Sequence, residues 1–251
     1  MATNNPSFAS TQYGPPIGEF RGGVARIVFA IFGALMLILG ILVVIPSPSS
    51  SSSTGDSSGT IFAGVVFIAM ALGFFALLFT WRGAHAQLFQ QGFIISRAGK
   101  TTSARWDDIT SVTQKVTRVR TYGIPVWTNY LYIIALANGE TVRVINAFGK
   151  TGKLGDTIQQ MSANALLPRA VASYQSGMSL PFGKISISRA GVSNGKETVP
   201  WSNITQFSVQ SGGVVIRRTE KRLPWLMTPV AKTPNVYVLM ALVDQARRGA
   251  L

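Results

Sequence analysis

Two long apolar runs constrain this chain more than any other feature. Ile27–Ile45 and Ile61–Trp81 contain no charged residue. A hydrocarbon core of about 30 Å needs about 20 apolar residues at a helical rise of about 1.5 Å each. Leu, Ile, Val and Phe occur all round both runs, as lipid exposure requires. The first run follows a long polar stretch and exceeds the roughly 7–15 apolar residues of a cleaved signal core. The expectation is a two-helix transmembrane hairpin over residues 23–82, with a Ser-rich loop, 46–60, punctuated by Pro46, Pro48, Gly55 and Gly59. Ala30, Gly33 and Gly40 on one run, and Ala69, Gly73 and Ala76 on the other, offer small faces for helix contact. Arg21 and Arg26 precede the pair and Arg82 follows it, while the loop carries only Asp56. The excess of cations on cytoplasmic flanks then puts both termini in the cytoplasm of an integral plasma-membrane protein.

The net charge is +14, and it lies wholly beyond the apolar pair, because Arg21 and Arg26 are balanced by Glu19 and Asp56. A basic region held at a membrane faces anionic headgroups, so membrane lipids are the expected partner, with membrane or cytoplasmic proteins next. Nucleic acid, the other usual partner of such charge, ranks below them. The chain has no cysteine, which excludes disulfides, thiolate zinc sites and cysteine nucleophiles. Its one histidine, His85, excludes multi-histidine metal sites and would have to serve any Ser-His-Asp triad. No cofactor is expected.

Residues 1–22, rich in Asn, Ser, Gly and Pro, read as a disordered tail. Beyond the apolar pair the period changes to that of strands. Leu88-Phe89 and Phe93–Ile95 flank Gly92; Thr101–Trp106, Ile109–Tyr122, Asn129–Leu136 and Thr141–Phe148 follow, the last two joined by an Asn138-Gly139 turn. Leu154, Ile158, Met161 and Ala165 then recur at helical spacing, and Pro168 is expected to break that helix ahead of a piece holding Val171 and Tyr174. The strand pattern begins again afterwards. Ser96-Arg97-Ala98-Gly99 recurs as Ser188-Arg189-Ala190-Gly191, and Trp106-Asp107-Asp108-Ile109 as Trp201-Ser202-Asn203-Ile204. A final helix is expected from Thr233 as N-cap and Pro234 as first residue, with Val236, Leu239, Met240 and Val243 on one face.

Phe93–Gly99, Arg105–Ile109, Thr198–Ile204 and Thr233–Val243 carry a resemblance to bacterial PH-like domains, in particular to an uncharacterised family of small membrane proteins with an N-terminal two-helix hairpin. The resemblance covers most of residues 86–248. It implies a bent antiparallel sheet closed by a C-terminal helix and brings no established enzyme activity. The expected fold class is therefore a membrane α-helical hairpin plus an α+β cytoplasmic region of duplicated PH-like antiparallel β-sheet units. The first would span 83–178 and the second, shorter one 179–251; one composite domain is the alternative.

Two basic segments are candidate lipid- or phosphate-binding sites. Lys115, Arg118 and Arg120 form K-x-x-R-x-R on a strand, loosely similar to the basic pattern near the first hairpin of phosphoinositide-binding PH domains; Lys and Arg there pair with phosphate oxygens. A solvated basic strand face is the plainer reading. Arg217, Arg218, Lys221 and Arg222 adjoin Trp225 within an apolar stretch, which suits anionic headgroups and an interfacial indole. The same stretch also suits a hairpin whose apolar half packs into the core. Asp107-Asp108 reads as a turn rather than an acid/base pair, since adjacent strand residues face opposite ways. Phe148-Gly149-Lys150-Thr151 is no P-loop, because Val144 stands where that motif needs glycine. Without a nucleophile–base or metal constellation, the expected function is a non-catalytic, membrane-anchored PH-like module that binds anionic headgroups or scaffolds proteins. An enzyme acting on a membrane-associated substrate is the alternative.

Overall fold

The computed structural model describes residues 11–22, 24–44, 57–80, 84–122, 124–219 and 223–249. Antiparallel strands make up most of it. The first half begins with a four-stranded sheet in the order β1 (Pro16–Arg21), β2 (His85–Phe89), β3 (Gly92–Arg97) and β4 (Lys100–Arg105). A 3-10 turn at Trp106–Asp108 leads into a three-stranded sheet of β5 (Ile109–Thr121), β6 (Ile124–Leu136) and β7 (Thr141–Ile145). The second half repeats this order. Strands β8 (Leu180–Phe182), β9 (Ile185–Ser188), β10 (Gly191–Ser193) and β11 (Thr198–Val199) form four strands, and β12 (Ile204–Gln210), β13 (Gly213–Arg218) and β14 (Leu226–Pro229) form three. Both tryptophans of the repeated motif are tied down by an indole hydrogen bond, though at different positions of the repeat: Trp106 Nε1 donates to the Phe89 carbonyl and Trp201 Nε1 to that of Ser188, each at 3.0 Å.

Strand β1 corrects the reading of residues 1–22 as a disordered tail. Phe20 is buried in the first core, and Glu19 and Phe20 pair with Gln87 and Ala86 of β2. Polar composition hid the strand because its partner lies far along the chain. Residues 1–10 lie outside the described residues, as does the expected Ser-rich loop up to Asp56.

Between β1 and β2 the chain forms two helices, α1 (Val24–Val44) and α2 (Ser57–Thr80), packed on each other. Gly40 of α1 lies against the Gly64 carbonyl, Phe67 and Ile68, and Gly33 against Phe74 and Phe75. Gly73, expected to join this contact, has open space where a Cβ would stand. Among the described residues, no helix is long and apolar enough to cross a membrane. This overturns the transmembrane hairpin. With it go the integral-membrane placement and the cytoplasmic orientation of both termini, which rested on flanking charge alone.

Helix α3 (Thr151–Gln175) runs unbroken through Pro168, where a break was expected. It serves both cores. Leu154 and Ile158 are buried in the first, with Met161 and Ala165 packed beside them. Ala163 and Tyr174 are buried in the second, with Leu167, Ala170 and Val171 against it. Packing on both sides of Pro168 offsets the hydrogen bond that proline removes. Helix α4 (Val236–Arg247) closes the second core through Val236, Leu239, Leu242 and Val243. It starts later than the expected Thr233 cap. Thr233 Oγ1 donates to the Pro229 carbonyl instead, and Asn235 takes the cap position at φ +52°.

Candidate functional site

Strands β5 and β6 pair over their whole length, from Ile109↔Leu136 to Thr121↔Ile124, whereas β7 covers only Leu131–Ala135 of β6. Beyond that cover, β5 and β6 project as a two-stranded ribbon. Asn146 fixes its base: its Oδ1 accepts from Tyr130 N and its Nδ2 donates to the Thr128 carbonyl, both at 2.9 Å. At the ribbon's far end Tyr122 is 100% exposed, Ile124 68%, Trp127 60% and Val126 56%. The chain leaves for α1 and α2 beside that base. Gly22 abuts the Ala147 carbonyl so closely that no Cβ would fit, and Gly149 abuts that of Arg21.

Of the first basic segment, Lys115 and Arg118 are exposed on β5 but three residues apart, and therefore on opposite faces of the ribbon. Arg120 follows a bulge between Val119 and Arg120, and its side chain lies outside the described set. Pairing thus divides the K-x-x-R spacing instead of gathering it into one phosphate pocket. The apolar tip was missed as a site. The signal was present in Tyr122-Gly123-Ile124-Pro125-Val126-Trp127, where large apolar groups crowd a turn that solvation would fill with polar ones.

In the second basic segment Arg218 Nη1 lies 2.6 Å from Glu197 Oε1, and Trp225 Nε1 donates to the other oxygen of that carboxylate at 3.0 Å. Trp225 is half-buried against the second core. It follows the core-packing alternative rather than the interfacial one, and Glu197 offsets the charge of Arg218. Arg217, half-buried, neighbours Arg218 on the strand and so points to the other face. Lys221 and Arg222 lie outside the described residues.

A cleft of about 590 Å³ opens between the halves. Gln114–Thr117 of β5 form one wall; Val209, Ser211 and Gly212 at the β12–β13 turn, Pro229–Ala231, and Val236, Tyr237 and Met240 form the rest. Lys115 is the cation of this lining. Near its β5 wall a polar network crosses to α3: Gln159 Nε2 donates to Gln114 Oε1 at 3.0 Å, and Gln114 Nε2 to the Tyr132 hydroxyl at 3.4 Å. Burial, reinforced by the Asp156 carboxylate, pushes the Tyr132 phenol up beyond its usual range, and the Tyr237 phenol is raised for the same reasons. Burial also raises the Asp156 carboxyl, against a hydrogen bond from Tyr132 that lowers it. His85 sits elsewhere, on the β1–β2 ladder, with Nε2 2.6 Å from Glu19 Oε1. Among the described residues no group of three or more His, Asp or Glu side chains is placed to hold a metal ion.

One family profile, described as a family of unknown function (DUF6585), matches residues 1–250. The chain belongs to this family. The match spans β1, the helix pair and both halves of the strand repeat, so family membership embraces the whole architecture rather than one part of it. No curated protein and no solved structure matches the chain.

Proposed function

We propose that the chain is a non-catalytic binding module of two PH-like units whose β5–β6 ribbon docks on an anionic lipid surface. The ribbon carries this reading: four large apolar residues at its end, with Arg118 beside them, stand clear of either core. Trp and Tyr suit the headgroup boundary, having an apolar body and a polar edge. A nearby cation adds about 1 kcal/mol of attraction to an anionic surface. Contact with the surface is what this reading requires, and crossing it is not.

The chain has no cysteine, so a single one can be labelled without background. Full-length protein carrying Ile124→Cys with an environment-sensitive fluorophore should show a blue shift on vesicles containing phosphatidylglycerol. The shift should fade toward 1 M salt, where the field reaches only about 3 Å. A label at exposed Lys184→Cys should not respond. Equal shifts on phosphatidylcholine vesicles, or none on either, would remove the lipid reading. Turnover of a lipid or phosphoester, abolished by one polar substitution, would instead favour the enzyme class.

A further inference from the structure

The β5 edge facing the cleft is partly paired by something that is not a strand. Asn235 N donates to the Val112 carbonyl at 2.8 Å, and Val112 N donates to Asn235 Oδ1 at 2.8 Å. Asn235 Nδ2 adds a bond to the Thr110 carbonyl at 3.0 Å. One residue thus supplies Val112 with the donor and acceptor that a neighbouring strand would give. Because both polar groups of Val112 point away from β6, the two-residue period turns those of Gln114, Val116 and Arg118 the same way. The other side of the ribbon agrees. Val116 and Arg118 pair with Tyr130 and Thr128, whose backbone groups are turned outward to Asn146. Strand β5 is the edge of its sheet, and Gln114 and Val116 line the cleft. Among the described residues, no backbone group outside the ladder bonds to Gln114, Val116 or Arg118.

We propose that this cleft is a strand-addition site: an extended peptide segment of a partner protein pairs with the β5 edge at Gln114, Val116 and Arg118, continuing the line that Asn235 begins. A row of outward donors and acceptors at strand spacing is matched by extended polypeptide and by little else. The opposite wall, Val209, Val236 and Met240, selects apolar side chains at alternate positions, and Lys115 selects an acidic residue. Lipid docking uses the far end of the ribbon and peptide binding its edge, so either can fail alone.

The test uses full-length protein and a displayed library of random heptapeptides, with enriched peptides resynthesised and their affinity read by fluorescence anisotropy. Enriched sequences should alternate apolar residues and carry Asp or Glu. N-methylation should weaken binding at least tenfold at every second peptide amide and hardly at all between them. Lys115→Glu should shift the selection from acidic to basic peptides. Val116→Pro, which deletes one edge donor, should also cost at least tenfold; the methylation series does not depend on that variant folding. Failure to enrich any sequence, indifference to N-methylation, or unchanged selection with Lys115→Glu would overturn the proposal. So would a concentration-dependent dimer displaced by the peptides, which would assign the edge to a second copy.

Discussion

Replacing Gly155 by alanine tests how α3 is seated on the first core. On an open helix surface the change stabilises by about 1 kcal/mol, because alanine is the better helix former. At Gly155 a Cβ would instead overlap the Tyr132 ring at Cζ, Cε1 and Cε2. That ring cannot withdraw. It is fully buried, it stacks on Tyr130 with centroids 6.4 Å apart, and its hydroxyl is held by Gln114 and Asp156. Overpacking a well-filled core costs about 1–3 kcal/mol, and a clash with ring atoms on a rigid helix belongs at the upper end. Setting the propensity gain against it leaves a net loss of about 1–2 kcal/mol, or roughly 2–8 °C in Tm for a chain of this size. Thermal melts of the full chain followed by circular dichroism read this directly. Gly73→Ala, in open space on α2, should raise Tm, as should Gly155→Ala in a Tyr132→Ala background where the ring is gone. If Gly155→Ala stabilises the native sequence as Gly73→Ala does, the packing argument is wrong.

Asn235→Ala should cost about 2–4 kcal/mol in urea denaturation, because it strands Val112 N and the Thr110 carbonyl and puts alanine at positive φ; Asn235→Gly should cost less, and equal losses would refute the role of φ. Asp156, its carboxyl raised by burial, binds its proton more tightly folded than unfolded. Its contribution is therefore greatest below the unfolded value of about 3.9, falls as pH rises through the raised value, and is flat above it. Tm of the native chain minus that of Asp156→Asn should fall with rising pH over the acid range; a rising difference would reverse the assignment. Trp127 is 60% exposed, so of the roughly 250 Å² a tryptophan offers about 150 Å² is free, worth up to about 4 kcal/mol if fully inserted. Half insertion makes Trp127→Ala about 30-fold weaker on anionic vesicles, and sedimentation showing no loss would exclude the ribbon tip.

Local chemistry made part of this fold legible in the sequence. Phe93 and Ile95 alternate because one face of β3 is buried, and Asn138-Gly139 turns because Gly139 sits at φ +83°. Two of the misreadings involve distant partners. Strand β1 has no apolar pattern of its own and exists through β2. Pro168 fails to break α3 because two cores hold the helix from both sides. At the candidate sites, K-x-x-R looked like a cluster along the chain, but the strand period separates Lys115 from Arg118. The loss of Arg218 to Glu197 needed a residue more than twenty positions away. The cleft joins β5 to residues around 209–240, and no short motif spans such a distance.

The helix pair separates β1 from the strand it needs, and this sets an order of events during synthesis. Glu19 and His85, partners across the β1–β2 ladder, lie 66 residues apart. At about 5–20 residues per second, β1 waits roughly 3–13 s before β2 is made. Through that interval Pro16–Arg21 has neither its hydrogen-bonding neighbour nor a core for Phe20, which leaves an open strand edge on the nascent chain. The first sheet therefore cannot begin with its first strand: β1 is paired only on a template made after it.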